Sequence, residues 1–272
     1  KNIGETTMGK ISEAIQAKKT NMQQEPKQER PIDKLKAILA TQSVQEQFKN
    51  ALQESANIFI ASIVDIFVND KTLQACEPQA VVIEALKAAT LKLPINKQLG
   101  FAYILPYKHQ NQYIPQFQLG YKGYLQLAMR TGIYKYINAD VVYEGELVSY
   151  NKITGELVID AAAKKSENVI GYFAYMETIN GFRKSIYMTK EQVIEHAKKY
   201  SKSYNSQYSA WQTDFDMMAI KTCLRLIISK YGLLSIEIAN AVAEDLKDVE
   251  IKENEQIEQE IEKKKNYEIM EE

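Results

Sequence analysis

Apolar residues first take up helical spacing at Ile32 and repeat it at Leu35, Ile38 and Leu39. A second stretch, about 43–52, leads into 56–68, where Ile58, Phe59, Ile63, Ile66 and Phe67 recur with the same period. Pro78 at a first-turn position opens a helix to about Leu91, with Val81, Val82, Ala85, Leu86 and Ala89 on one face. The pattern predicts a small helical bundle for the N-terminal third. No apolar run is expected to reach membrane-spanning length.

The period then changes to two. Segments 101–107 and 113–119 flank His-Gln-Asn-Gln and predict a hairpin with a longer loop, and Pro106 and Pro115 keep its edges out of a central sheet. Helical spacing returns over 121–131 and stops at Gly132. Strands are expected at about 134–144, 147–150 and 156–160. Segments 168–178 and 182–188 surround Ile-Asn-Gly, a strong hairpin signal because Asn-Gly accepts positive φ. Thr189 with Gln192 forms a capping-box pattern for a helix to about Tyr200. A Ser/Tyr/Lys-rich loop, 201–209, precedes one long helix over about 210–231, closed by Gly232. Strands alternate with helices without βαβ order, so the expected class is α+β with an antiparallel sheet, a helical bundle and a long basic helix.

Composition divides the 272 residues into three parts. Residues 1–31 are polar and Gln/Lys-rich and read as a mobile arm; 32–248 form the core; 249–272 are an acidic tail, expected to be mobile. The formal net charge of −1 hides this division. Residues 237–272 hold five basic and 13 acidic residues, whereas 37–236 hold 21 and 17, so a basic body is offset by an acidic end. Cys76 and Cys223 lie far apart in apolar contexts, which suits an intracellular chain without a disulfide framework. A soluble, cytoplasmic protein is expected, without cofactor or metal.

The acid-free interval from 85 to 139 points furthest toward a function. It spans 55 residues, where the chain's 35 acidic residues would place about seven. It carries Lys87, Lys92, Lys97, Lys108, Lys122, Arg130 and Lys135, with seven tyrosines and six glutamines between them. Cations for phosphates, rings for bases and amides for base edges are what a nucleic-acid groove needs. Three constellations stand out. In 116–124, Gln116 and Gln118 share a strand face, and Tyr121, Lys122 and Tyr124 open a helix whose Gly120 and Gly123 permit close backbone approach; Arg130 follows on a similar face. Lys198, Lys199, Lys202 and Tyr204 occupy a helix end and a flexible loop suited to wrapping a backbone. Lys221 and Arg225 stack at i, i+4, opposite Leu224, Ile227 and Ile228. With Lys108, these thirteen residues are the candidate DNA contacts, and none is assigned a catalytic or metal role.

Enzymatic readings weigh less. No phosphate-cradling G-x-x-x-x-G-K-[ST] loop is present, which argues against ATP-driven action. Asp140, Glu144 and Glu146 share strand parity, the one set on which a metal-dependent nuclease could be built, although such a pattern is more often the wet face of a strand. A passive single-strand DNA or RNA-binding module is the other alternative.

The segments Leu93-Pro-Ile-Asn, Ala102-Tyr-Ile-Leu-Pro-Tyr, Gln116 to Tyr124, Arg130-Thr-Gly and Met217 to Arg225 resemble the RecT family of phage single-strand annealing proteins, in its Gram-positive prophage form. The resemblance covers about 35–243. It implies ATP-independent pairing of complementary strands, no enzymatic step, rings or helical filaments of the chain, and a partnership with a phage 5′–3′ exonuclease. A fold related to the wider annealing superfamily would follow. The acidic tail has two further readings, a mimic of nucleic acid that gates the groove or a docking element for the exonuclease or host single-strand-binding protein, beside a purely solubilising one.

Overall fold

The computed structural model describes residues 30–232, apart from Gln110, Lys202 and Tyr208. The polar arm, except its last two residues, and the acidic tail therefore lie outside the described residues.

Four helices open the fold: α1 (Pro31–Leu39), α2 (Gln42–Leu52), α3 (Ala56–Asn69) and α4 (Pro78–Thr90). Pro31 and Pro78 sit in the first turns of α1 and α4, where a missing N–H costs nothing. Leu35, Phe48, Ile63, Phe67, Val81 and Ala85 are fully buried between the helices. Each large apolar side chain withdrawn from water this way contributes about 1.5–3 kcal/mol. One expectation needs correcting here. Joined through the 3₁₀ turn Gln53–Ser55, α2 and α3 make a 28-residue helical stretch, Gln42–Asn69, long and apolar enough by length and composition to cross a membrane. Its buried positions, Phe48, Phe59, Ile63, Ile66 and Phe67, bind the bundle together.

Strands β1 (Ala102–His109) and β2 (Gln112–Leu119) pair antiparallel and pack on α4. His109 pairs with Gln112, so the loop is shorter than expected, two residues between paired ends. Pro106 lies directly opposite Pro115. Two residues without N–H groups fit a ladder only at a position where neither would donate across. Helix α5 (Tyr121–Arg130) follows, and Gly132 ends it at φ +67°.

A three-stranded antiparallel sheet, β3 (Tyr134–Tyr143), β6 (Val169–Thr178) and β7 (Arg183–Thr189), has the order β3-β6-β7. Between them, β4 (Leu147–Asn151) and β5 (Glu156–Ile159) form a separate hairpin beside β7. Helices α6 (Lys190–Tyr200), α7 (Ala210–Thr213) and α8 (Phe215–Tyr231) complete the described chain. The Thr189–Gln192 capping box is formed, with N–H to side-chain distances of 3.3 and 3.0 Å. Tyr172, Ala174 and Met176 alternate along β6 and are fully buried, and α8 packs across this sheet. The expected single helix over 210–231 is two helices. Asp214 at φ −151°, ψ 61° breaks it, while Trp211 on α7 turns inward against Phe215 at 5.6 Å. The α+β class stands, and one continuous hydrophobic core joins bundle, hairpin and sheet.

Candidate nucleic-acid interface

A cleft of about 1540 Å³ runs between the two halves of this core. The β1–β2 hairpin and the head of α5 line it from the N-terminal half; α6, the 201–209 loop, α7 and α8 line it from the C-terminal half. Phe117 and Leu119 turn into the core, while Gln116 and Gln118 on the opposite face border the cleft. Gln118 donates to the Tyr107 hydroxyl at 2.6 Å, which holds its amide in place.

The handover from β2 to α5 is set by glycines, for a reason different from the one expected. A Cβ on Gly120 would stand 2.2 Å from the Gly100 carbonyl oxygen, and one on Gly123 would stand 2.2 Å from that of Phe101. The close approach is thus made by the chain's own backbone rather than by a ligand, and the Gly120 N–H donates to Phe101 O at 2.8 Å. This contact fixes the head of α5, so that Tyr121 and Lys122 border the cleft. Burial, and then the Asp140 carboxylate, raise the Tyr121 pKa above its ordinary value. Burial and then Asp214 do the same for Tyr103, which spans from β1 toward α8.

Of the thirteen sequence candidates, Lys108, Gln116, Gln118, Tyr121, Lys122, Lys221 and Arg225 come together on this cleft. The others are placed elsewhere. Tyr124 is 1% exposed and belongs to the core, so it presents no contact surface. Arg130 turns away from the cleft and donates to Leu91 O at 2.6 Å and Lys92 O at 2.9 Å, capping the carbonyl end of α4. Lys198 and Lys199 do not border the cleft, and the Lys199 ammonium sits 4.9 Å from the Tyr200 ring centre. Tyr204 packs edge-on against Trp211, 6.0 Å between ring centres. Lys202 lies outside the described residues.

The acid-free interval is less unpaired in space than in sequence. Lys87 pairs with Glu84 at 2.9 Å, Lys97 with Asp70 at 2.8 Å and Lys135 with Glu177 at 3.0 Å. With Arg130 held on α4, the cations of this interval that line the cleft without such a partner among the described residues are Lys108 and Lys122. Arg225 likewise forms no hydrogen bond or ion pair with a described residue, and Lys221 lines the cleft one turn before it. The structure adds Trp211 to the cleft, and it also brings there Tyr103, Tyr107, His196, Tyr200 and the serines 201, 203, 206 and 209, which lie in the acid-free interval or the 196–209 constellation but were not among the thirteen candidates. For Trp211 the sequence carried no signal beyond helical spacing. The three carboxylates of the nuclease alternative each accept a hydrogen bond. Asp140 accepts from Val141 N–H, Glu144 from Ser166 Oγ and Glu146 from Tyr143 N–H, each at 2.8 Å. Among the described residues no group of three His, Cys, Asp or Glu converges as a metal site would require.

Comparison with known sequences decides the lineage. The sequence model of the RecT family matches residues 57–263, which include every residue lining the cleft. The chain belongs to the RecT family. YqaK of Bacillus subtilis strain 168, described as an uncharacterized protein, is 47% identical over 211 residues, 78% of this chain and 72% of that protein. Protein RecT of Escherichia coli K12 is 30% identical over 178 residues, 64% of this chain and 65% of its own length, just under two thirds. RecT membership supports a single-strand DNA annealing role in recombination.

Proposed function

We propose that this RecT-family chain holds one DNA strand in the cleft by its phosphates, leaves the bases available for pairing, and so anneals complementary strands without ATP, cofactor or catalytic step. The observation that carries this is the convergence of Lys108 and Lys122 with Lys221 and Arg225 on one cleft that also presents Tyr103 and Tyr107. Lysine and arginine neutralise phosphates, and rings accept any base, so binding is independent of sequence. Sequence selection then belongs to base pairing between the strands.

Side-by-side copies in a ring or helical filament would extend the cleft, which makes modest charge per copy sufficient. Residues 32–248 would form the annealing and assembly core. The exonuclease partner, the host single-strand-binding protein and a cytoplasmic setting in a bacterial host belong to this same reading.

The test is to mix two complementary labelled oligonucleotides with the protein, without ATP or metal, and follow duplex formation. Acceleration restricted to complementary strands and lost in a Lys221→Ala/Arg225→Ala variant supports the reading. Binding without acceleration would leave a passive single-strand DNA or RNA-binding module, and loss of strand length dependent on Mg²⁺ would revive the nuclease.

A further inference from the structure

We propose that His196 is a proton-dependent charge for the strand: seating a phosphodiester beside Arg225 draws a proton from solvent onto the imidazole, whose positive charge then attracts the phosphate. This rests on the cleft reading above and adds a residue and a pH dependence to it.

The geometry makes His196 unusual. It lies on α6 and borders the cleft, yet its Nδ1 is shielded from water and has no hydrogen-bond partner. Shielded polar nitrogens are normally paired, and an orphan calls for an explanation. Its ring packs on Tyr200, 4.6 Å between centres. The charged groups acting on it are Arg225 and Lys230 from α8, which faces it, and Lys199 from its own helix. All three are positive, and no charged group of β6 or β7, against which α6 also packs, is among them.

Burial first, and then these three cations, hold the His196 pKa down to about 4. The ring is therefore neutral at physiological pH in the free protein. A phosphodiester chain entering the cleft reverses the local field, because its charges outweigh the cations that repel the proton. The bound-state pKa then lies above the free-state value, so binding takes up a proton. The sign follows directly: affinity rises as pH falls through the bound pKa, levels off near the free value of about 4, and is flat above the bound pKa. If the bound ring recovers the ordinary histidine value, affinity at about pH 5.5 gains about tenfold over that at about pH 8, with uptake of about 0.9 proton per site.

Anisotropy of a labelled oligothymidylate at constant ionic strength, at both pH values, measures the gain. Calorimetry in two buffers of different ionisation enthalpy counts the protons. The wild type is expected to show both effects, and His196→Gln less than a twofold gain with the uptake removed. Changes from other titrating groups cancel in the comparison of variant with wild type. His196→Asn, checked for native thermal unfolding, serves as the second variant. A full pH gain and undiminished uptake in both variants would overturn the proposal while leaving the cleft reading intact. Failure of the wild type to bind oligothymidylate at either pH would instead overturn the cleft reading and this inference with it.

Discussion

The salt dependence of DNA binding separates charges counted along the chain from charges available in space. Six cations of the described residues line the cleft; Lys87 and Lys97 are paired with carboxylates, and Lys108, Lys122, Lys221 and Arg225 are assigned to phosphates. Each phosphate contact to a single strand contributes about −0.7 to the slope of log affinity against log salt, so four give about −2.8. Between about 50 and 200 mM salt, a fourfold rise, affinity should then fall about 50-fold. The perturbation is Lys122→Ala/Arg225→Ala, which removes two contacts. The slope should drop to about −1.4 and the loss over the same range to about sevenfold. The control is Lys87→Ala/Lys135→Ala, the same change of charge drawn from the same acid-free interval. Those lysines are held by Glu84 at 2.9 Å and Glu177 at 3.0 Å. A lysine already neutralised by a carboxylate displaces no counterion when DNA arrives, so the control slope should stay near that of the wild type. Titration of a labelled oligothymidylate by fluorescence anisotropy at five or so salt concentrations measures all three slopes. Equal slopes for the two double variants would refute the assignment and return the charge to a diffuse basic surface.

Three further outcomes are expected. Arg130→Ala removes two hydrogen bonds from a charged donor to the end of α4, so stability in urea should fall by about 2–4 kcal/mol, while the salt slope for DNA is unchanged. Gly123→Ala should destabilise by about 1–3 kcal/mol in a thermal melt, although alanine is the better helix former, because its methyl would meet the Phe101 carbonyl and Leu119 Cδ1; an unchanged or higher melting temperature would contradict the close packing. Asp70 accepts from Thr72, Leu73 and Lys97, and these bonds hold its carboxyl down to about 2 against the opposing effect of burial. Its lowered pKa means a stabilisation present above the unfolded carboxylate range and lost as pH falls from about 4 toward 2. Asp70→Asn should thus cost about 1–2 kcal/mol at neutral pH, a difference that fades across that window in pH-dependent unfolding.

Much of the fold is legible because local rules agree with it. Pro31 and Pro78 mark helix starts, Gly132 and Gly181 adopt positive φ at turns, and the Thr189–Gln192 box forms as its spacing demands. The misses have particular causes. The break at Asp214 carries no glycine or proline; it is imposed where Trp211 turns into the core and the chain re-enters along the sheet. Tyr124 shares helical spacing with Leu127 and Ala128, and spacing alone does not say whether a tyrosine on that stripe meets core or solvent. Gly120 and Gly123 announce close approach correctly but not what approaches, since Gly100 and Phe101 are brought there only by the hairpin.

Element types, the α+β class, the family and the depletion of acids around 85–139 can all be read from the order of amino acids alone, because these rest on periodicity, backbone preference and composition. Which cations remain available to a phosphate was decided only in three dimensions. Lys135 meets Glu177 across 42 positions of sequence and Arg130 meets Leu91 across 39. Coulomb attraction and hydrogen bonding depend on separation in space, at which carboxylates absent from an interval of sequence return as neighbours.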